Sequence, residues 1–140
     1  MFVLDTNVLS EIPRPEPDAN VAAWLVSQPK QQIFTNFINQ AEILFGIALL
    51  PRGQRRDMLQ AAIEGIFGED FGGRVIAFSA DCSLHYADIA VGRKLLGRPI
   101  SQFDAMIAAF TRAHGVRRVT CSTAYFEHCE IEVLNPWRQL

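Results

Sequence analysis

Three carboxylates in this chain stand in apolar company. Asp5 ends the run Phe2-Val3-Leu4. Glu42 is the only charge between Lys30 and Arg52, and Asp104 the only one between Arg98 and Arg112, with Ala105-Met106-Ile107-Ala108-Ala109-Phe110 directly after it. A carboxylate carried into apolar surroundings is costly unless it is paired or bound to a metal. No buried Lys or Arg is evident as a partner, so the three acids suggest a shared cation. Hard oxygen donors suit Mg2+ or Mn2+, ions that keep several waters and meet phosphate oxygens. Such an ion activates water as a nucleophile and clamps a leaving oxygen. Each acid also has a plainer reading. Asp5 could cap a helix starting at Thr6-Asn7. Ser101-Gln102-Phe103-Asp104 has the form of a capping box. Glu42 has the weakest plain reading, because its helix offers little polar face.

The elements that must position these acids follow from punctuation and period. Residues 2–5 read as a buried strand closed by turn formers. Pro13, Pro15 and Pro17 keep the helix from Thr6 short. Asp18 caps a second helix that Pro29 ends. A short strand at 32–35 precedes a long helix from about Asn36 to Leu50, stopped by Pro51 and Gly53. Residues 54–67 have helical period with a basic start. Gly72-Gly73 turns the chain into a strand at 74–78, followed by a helix from Ser79 to Leu96 closed by Gly97. Another helix runs from Pro99 and Ser101 to His114, with Gly115 at its end. Strands at 118–120 and 131–134 finish the pattern, before Asn135-Pro136-Trp137 breaks it. Short strands alternating with helices predict one α/β domain over residues 1–140, a three-layer α/β/α fold with a central parallel sheet of about five strands. In such sheets ligand chemistry gathers at the carboxyl ends of strands, where Asp5 lies. Asp104 would start its helix on that side, and Glu42 would reach in sideways about two turns into its own.

Composition sets limits. The chain has 140 residues, with 49% hydrophobic, 20% charged and a net charge of −2. That suffices for one real core and leaves nucleic-acid contact to local basic patches. Cys82, Cys121 and Cys129 are odd in number and lack CxxC spacing. This argues against a disulfide scaffold or zinc site and fits a reducing, cytoplasmic setting. No secretory signal is visible. The apolar stretch from Phe37 to Leu50 is short of the ~20 residues that span a bilayer, so no membrane partner is expected. A mean hydropathy of +0.11 favours an oligomer or a tightly bound partner.

Together the motifs resemble the PIN-domain nucleases, and within them the VapC-type toxins of toxin–antitoxin pairs. The resemblance runs the whole length. Leu4-Asp5-Thr6-Asn7-Val8-Leu9-Ser10-Glu11 is similar to the family's opening motif, and Ala41-Glu42-Ile43-Leu44-Phe45-Gly46-Ile47 to its second. Gly97-Arg98-Pro99-Ile100-Ser101, followed by Asp104-Ala105 and Ile107-Ala108-Ala109, resembles the third; Asn135-Pro136-Trp137 resembles an ending common in the FitB-like subgroup. The resemblance implies a Mg2+- or Mn2+-dependent endoribonuclease that cuts RNA, often tRNA or ribosomal RNA. It further implies neutralisation by a VapB-type antitoxin, a homodimer, and contact with operator DNA only through the antitoxin. It puts Asp5, Glu42 and Asp104 in metal-binding and catalytic roles, with Thr6 or Asn7 orienting Asp5 or holding a water.

The chain also departs from the family pattern. Relatives commonly carry Thr-Arg-Asn or Thr-Arg-Asp after the fourth strand, where this chain has Thr120-Cys121-Ser122. Tyr125 stands near a position often acidic, and Asn39 where Thr is usual. Ser122 supplies a hydroxyl but no charge, so three acids would hold one metal more weakly than four. This motivates a second reading, a weakly active or inactive PIN-fold binding or regulatory protein. A phosphatase would need a D-x-D, and Asp5-Thr6-Asn7 lacks the second acid. Three basic clusters remain, Arg52/Arg55/Arg56, Arg93/Lys94/Arg98 and Arg112/Arg117/Arg118. Solvated faces are their ordinary reading; Arg52, Arg55, Arg98 and Arg112 are the candidates for holding RNA phosphates. His85, His114 and His128 have no metal spacing. Trp24, Trp137, Phe34 and Phe45 read as core or interface.

Overall fold

The computed structural model describes residues 1–138; the last two residues of the expected 1–140 domain lie outside it. Five parallel strands form one sheet: β1 (Phe2–Leu4), β2 (Ile33–Asn36), β3 (Val75–Ile76), β4 (Arg117–Val119) and β5 (Glu132–Leu134). Their spatial order is β3-β2-β1-β4-β5. The chain builds outward from β1 on one side, then crosses back to place β4 on the other. The direction of winding therefore reverses between β1 and β4, and such a reversal opens a crevice at the carboxyl ends of the strands.

The strands alternate strictly between two cores. Leu4, Ile33 and Val119, with Phe2, Val75 and Leu134 alongside, face a cluster with Val8, Leu9, Val21, Trp24, Ile43, Ile47 and Ile63. These come from α1 (Thr6–Leu9), α2 (Ala19–Ser27), α3 (Phe37–Ala48) and α4 (Gln54–Gly65). The other face carries Val3, Phe34 and Ile76 against Cys82 and Phe110. That face is covered by α5 (Ala80–Leu95) and α6 (Gln102–His114), while Val133 joins Ile89 and Ile107. A period of two on each strand, buried on both sides, is what a parallel sheet between helical layers requires.

Local chemistry sets the boundaries. Asp18 accepts hydrogen bonds from the amides of Asn20 and Val21 and starts α2. Asn36 accepts from the amide of Asn39 and starts α3. Gly115, at φ 59° and ψ 34°, closes α6 in the left-handed conformation that a residue without Cβ adopts most cheaply. Helix four ends two residues earlier than its period suggests. The chain passes into a wider turn, Ile66–Asp70, in which the Phe71 amide donates to the Ile66 carbonyl at 2.9 Å. This widening turns Ile66, Phe67 and Phe71 into the core together. The third strand has two residues rather than the five expected, because it pairs only through Thr35–Val75 and Asn36–Ile76 at the sheet edge.

Replacing Asp18 with Ala is expected to destabilise the fold by about 1 kcal/mol, the usual worth of an N-cap. Urea unfolding should show a lower midpoint with an unchanged slope, since the exposed surface stays the same.

Candidate metal centre

Asp5 follows β1 directly, and its amide donates to the Val119 carbonyl at 2.9 Å, tying it to β4. Its carboxylate is 8% exposed at the residue level and accepts five donors. Oδ1 takes the Thr6 amide at 2.8 Å, Asn39 Nδ2 at 3.0 Å and Arg118 Nη2. Oδ2 takes the Thr120 hydroxyl at 2.6 Å and, more loosely, Asn7 Nδ2 at 3.4 Å. Asn7 Nδ2 also donates to Thr120 Oγ1 at 2.9 Å, so Asn7 orients the hydroxyl that orients Asp5.

Glu42 joins the same frame from α3. Its Oε2 accepts the Thr6 hydroxyl at 2.6 Å, and Asn39 Nδ2 lies 3.3 Å away. Asn39 is fully buried and sits between the two acids, one turn before Glu42 on its helix. Burial holds the Glu42 carboxyl above its usual 4.5. The Thr6 hydrogen bond opposes this rise, the charge of Asp5 adds to it, Arg118 pulls it down, and Asp104 pushes it up again. Asp104 is thus close enough for its charge to act on Glu42, and it acts on Arg118 as well.

Asp104 itself stands in the first turn of α6. Its amide donates to Ser101 Oγ at 3.1 Å and its Oδ2 accepts the Ser101 hydroxyl at 2.7 Å. The capping reading of Ser101–Asp104 is therefore realised. Among the described residues, no three His, Cys, Asp or Glu side chains stand close enough to form a ready-made metal cluster. Asp5 and Glu42 share hydrogen-bond donors, while the hydrogen bonds of Asp104 are with Ser101 at the start of α6.

One expectation is overturned. The acids do have a buried cation. Arg118 has no exposed surface, and its guanidinium pairs with Asp5 and donates through Nη1 to Asn39 Oδ1 at 3.1 Å. Burial weakens its hold on its proton, and the charge and hydrogen bond of Asp5 act in the opposite sense. The basic cluster Arg112/Arg117/Arg118 is consequently no single face. Arg117 is exposed on a salt bridge to Glu132. Arg112 donates to the Cys129 carbonyl at 2.8 Å and bridges Asp88 and Glu130. It lies two turns past Asp104 on α6 with its donors engaged, and it does not line the pocket. The register of β4 on β1, which sets Arg118 beside the buried Val3, is what turns it inward.

The other expected residues divide. Thr6 and Asn7 are in the frame. The Ser122 amide donates to Thr120 Oγ1 at 3.1 Å, and its hydroxyl lies 3.8 Å from Cys121 Sγ, so Thr120, which sequence reasoning passed over, makes the contact with Asp5. Arg52 and Arg55 are exposed beyond α3 and at the start of α4. Arg98 is exposed beside Glu127 at 3.5 Å. Arg93 is buried rather than solvated. Its Nε donates to the Arg98 carbonyl, and its Nη1 to the carbonyls of Tyr125 and Glu127, at 2.7–3.0 Å. Trp24 is in the core, whereas Phe45 is 66% exposed.

The linked oxygens of Asp5 and Glu42 are the hard donors a divalent cation takes, and Asp104 would have to join them from its own helix. Burial raises the Glu42 carboxyl and the charge of Asp5 adds to the rise, so a cation placed there would favour its ionised form.

Because the folded pKa of Glu42 is raised, the folded chain keeps a proton that the unfolded chain has lost between 4.5 and the higher value. Stability falls as pH rises through that window. In EDTA, Glu42→Gln is expected to raise the melting temperature at pH 7, and the gain should vanish as pH drops below 4.5. A difference independent of pH would contradict this assignment.

Three comparisons bear on this site. A family model described as the PIN domain matches residues 2–129. A VapC ribonuclease of Sinorhizobium fredii is 40% identical over 137 residues, covering 98% of each chain. The toxin FitB of Neisseria gonorrhoeae is 35% identical, covering 98% of this chain and 99% of its own. Among solved structures, a FitAB complex bound to a DNA fragment superposes with a TM-score of 0.91 at 34% identity, over 100% of this chain and 98% of that one.

Proposed function

We propose that this chain, which belongs to the PIN-domain family and is similar throughout to its VapC and FitB toxins, is a metal-dependent endoribonuclease toxin. The observation that carries the reading is the shared frame of Asp5 and Glu42. Two acids from different elements are locked by Thr6 and Asn39 at the reversal point of the sheet, with the charge of Asp104 on one of them. Asp5, Glu42 and Asp104 would hold a Mg2+ or Mn2+ ion, which supplies positive charge opposite the phosphate and makes water more acidic. The protein's own part is positioning and proton handling. Thr120 and Asn7 fix Asp5 Oδ2. Thr6 engages Glu42 Oε2, which leaves Oε1 to accept a proton from the attacking water. Attack in line at a phosphodiester would release a 3′-hydroxyl and a 5′-phosphate. Exposed Arg52, Arg55 and Arg98 are the cations available for RNA phosphates, with tRNA or ribosomal RNA as the substrate class.

A VapB-type antitoxin is the partner, with operator DNA reached through it. A cleft of about 240 Å3 beside Glu42, walled by Pro13, Gly46, Ile47, Leu50 and Leu59, offers an apolar seat for a partner segment. Leu84, Val91 and Leu95 are exposed along one side of α5 and support a homodimer. A second reading, a PIN-fold partner with little catalysis, is favoured by the Asp5–Arg118 pair and by Ser122.

The partner-free chain incubated with total RNA and Mg2+ or Mn2+ should cleave it, leaving 5′-phosphate ends. EDTA should abolish cleavage, and Asp5→Asn or Asp104→Asn should each slow it at least ~100-fold, as expected for loss of a group that stabilises the transition state. Cleavage unchanged in either variant would sink the nuclease reading. No cleavage by the wild type under any metal, with antitoxin binding retained, would establish the second.

A further inference from the structure

Arg118 occupies a row of the sheet where the pattern calls for an apolar side chain. Its registered neighbours across the strands are Val3 and Val133, and Val3 pairs in turn with Phe34. The ring of Phe126 lies 5.7 Å from its guanidinium carbon. Its Nε is buried with no hydrogen-bond partner, while both terminal nitrogens point at the acidic site, Nη1 to Asn39 and Nη2 to Asp5. A guanidinium that leaves one nitrogen unsatisfied in order to place the other two on the site is a costly device for packing alone. Its charge also pulls down the proton affinity of Glu42.

We propose that Arg118 is a resident counter-cation of the acidic site, a positioning residue that holds Asp5 in place without metal and limits the pocket to one weakly held divalent ion. The inference rests on the metal-site reading of Asp5, Glu42 and Asp104. Two effects follow from one charge. In the absence of metal, the guanidinium offsets the repulsion among the carboxylates. When a divalent ion arrives, the same charge repels it and competes for Asp5 Oδ1. Ser122, which brings no carboxylate, acts in the same direction.

The test is Mn2+ titration by calorimetry of the wild-type chain, Arg118→Met and Arg118→Lys, with melting curves in EDTA and in millimolar Mn2+. Arg118→Met should melt lower than wild type in EDTA, regain stability in Mn2+, and bind Mn2+ about tenfold tighter, because a like charge has left a poorly screened site. Arg118→Lys, which keeps the charge but not the planar fork, should bind Mn2+ within about threefold of wild type, since the charge term is retained. A purely structural role predicts the opposite for the Met variant, weaker binding as Asp5 loses its anchor. A folded Arg118→Met chain with equal or weaker Mn2+ affinity would overturn the proposal. So would one that stays unfolded in millimolar Mn2+, or a Lys variant that matches the Met variant. If wild type and Arg118→Met bind Mn2+ as expected while wild type cuts no RNA, the inference stands and the nuclease reading falls.

Discussion

The Asp5–Arg118 ion pair ties the sheet to the site. A charge pair away from water is tolerated only when nearly every lone pair and proton finds a partner. Here the partners come from everywhere at once. The Thr6 amide opens α1, Asn39 comes from α3, and Arg118 and Thr120 come from β4 and the residue after it. The same contacts that satisfy Asp5 therefore dock two helices and a strand against β1. Thr35 adds a bond from its hydroxyl to the Leu4 carbonyl, fixing the strand end from the other side. Assembly of the pocket and closure of the sheet are one event.

Within that frame the three acids are not equivalent. Asp5 has both carboxylate oxygens engaged by donors. Glu42 is half-buried, with one oxygen held and its proton affinity raised. Asp104 serves as the helix-start acid of α6, and its charge adds slightly to the rise of the Glu42 carboxyl. This division suits a site where one group fixes position, one handles protons, and one adjusts charge. It also explains why Asn39 matters: its amide touches both Asp5 and Glu42, and its carbonyl oxygen receives Arg118. A threonine there could donate to only one of the two acids, since a hydroxyl carries one hydrogen where the amide carries two.

Much of this was legible in the residues. Alternating strands and helices, the proline-bounded second helix and the Asp18, Asn36 and Ser101 caps all lie within a few residues of their expected places. The three acids stood out because each interrupts an apolar run, a signal that needs no structure to read. Arg118 did not stand out, because it lies beside Arg117 and a pair of arginines reads as surface. Only the strand register, with Val3 opposite it, shows that one of the two must turn inward. Thr120 was masked by attention to Ser122 two positions later; the backbone turns between them, and the nearer hydroxyl reaches Asp5. Arg93 was hidden in the same way, inside a basic cluster whose other members, Lys94 and Arg98, are exposed.

The buried Arg93 has a consequence for how this fold could change over evolutionary time. One guanidinium gathers the carbonyl of Arg98, just before α6, and those of Tyr125 and Glu127, just before β5. Two loops far apart in sequence are thereby riveted at a single point. An insertion in either would pull on the other, so the rim of the crevice on this side is constrained to drift as a unit. The turn from Pro51 to Arg55, where no such rivet is found among the described residues, is freer to change its length and sequence.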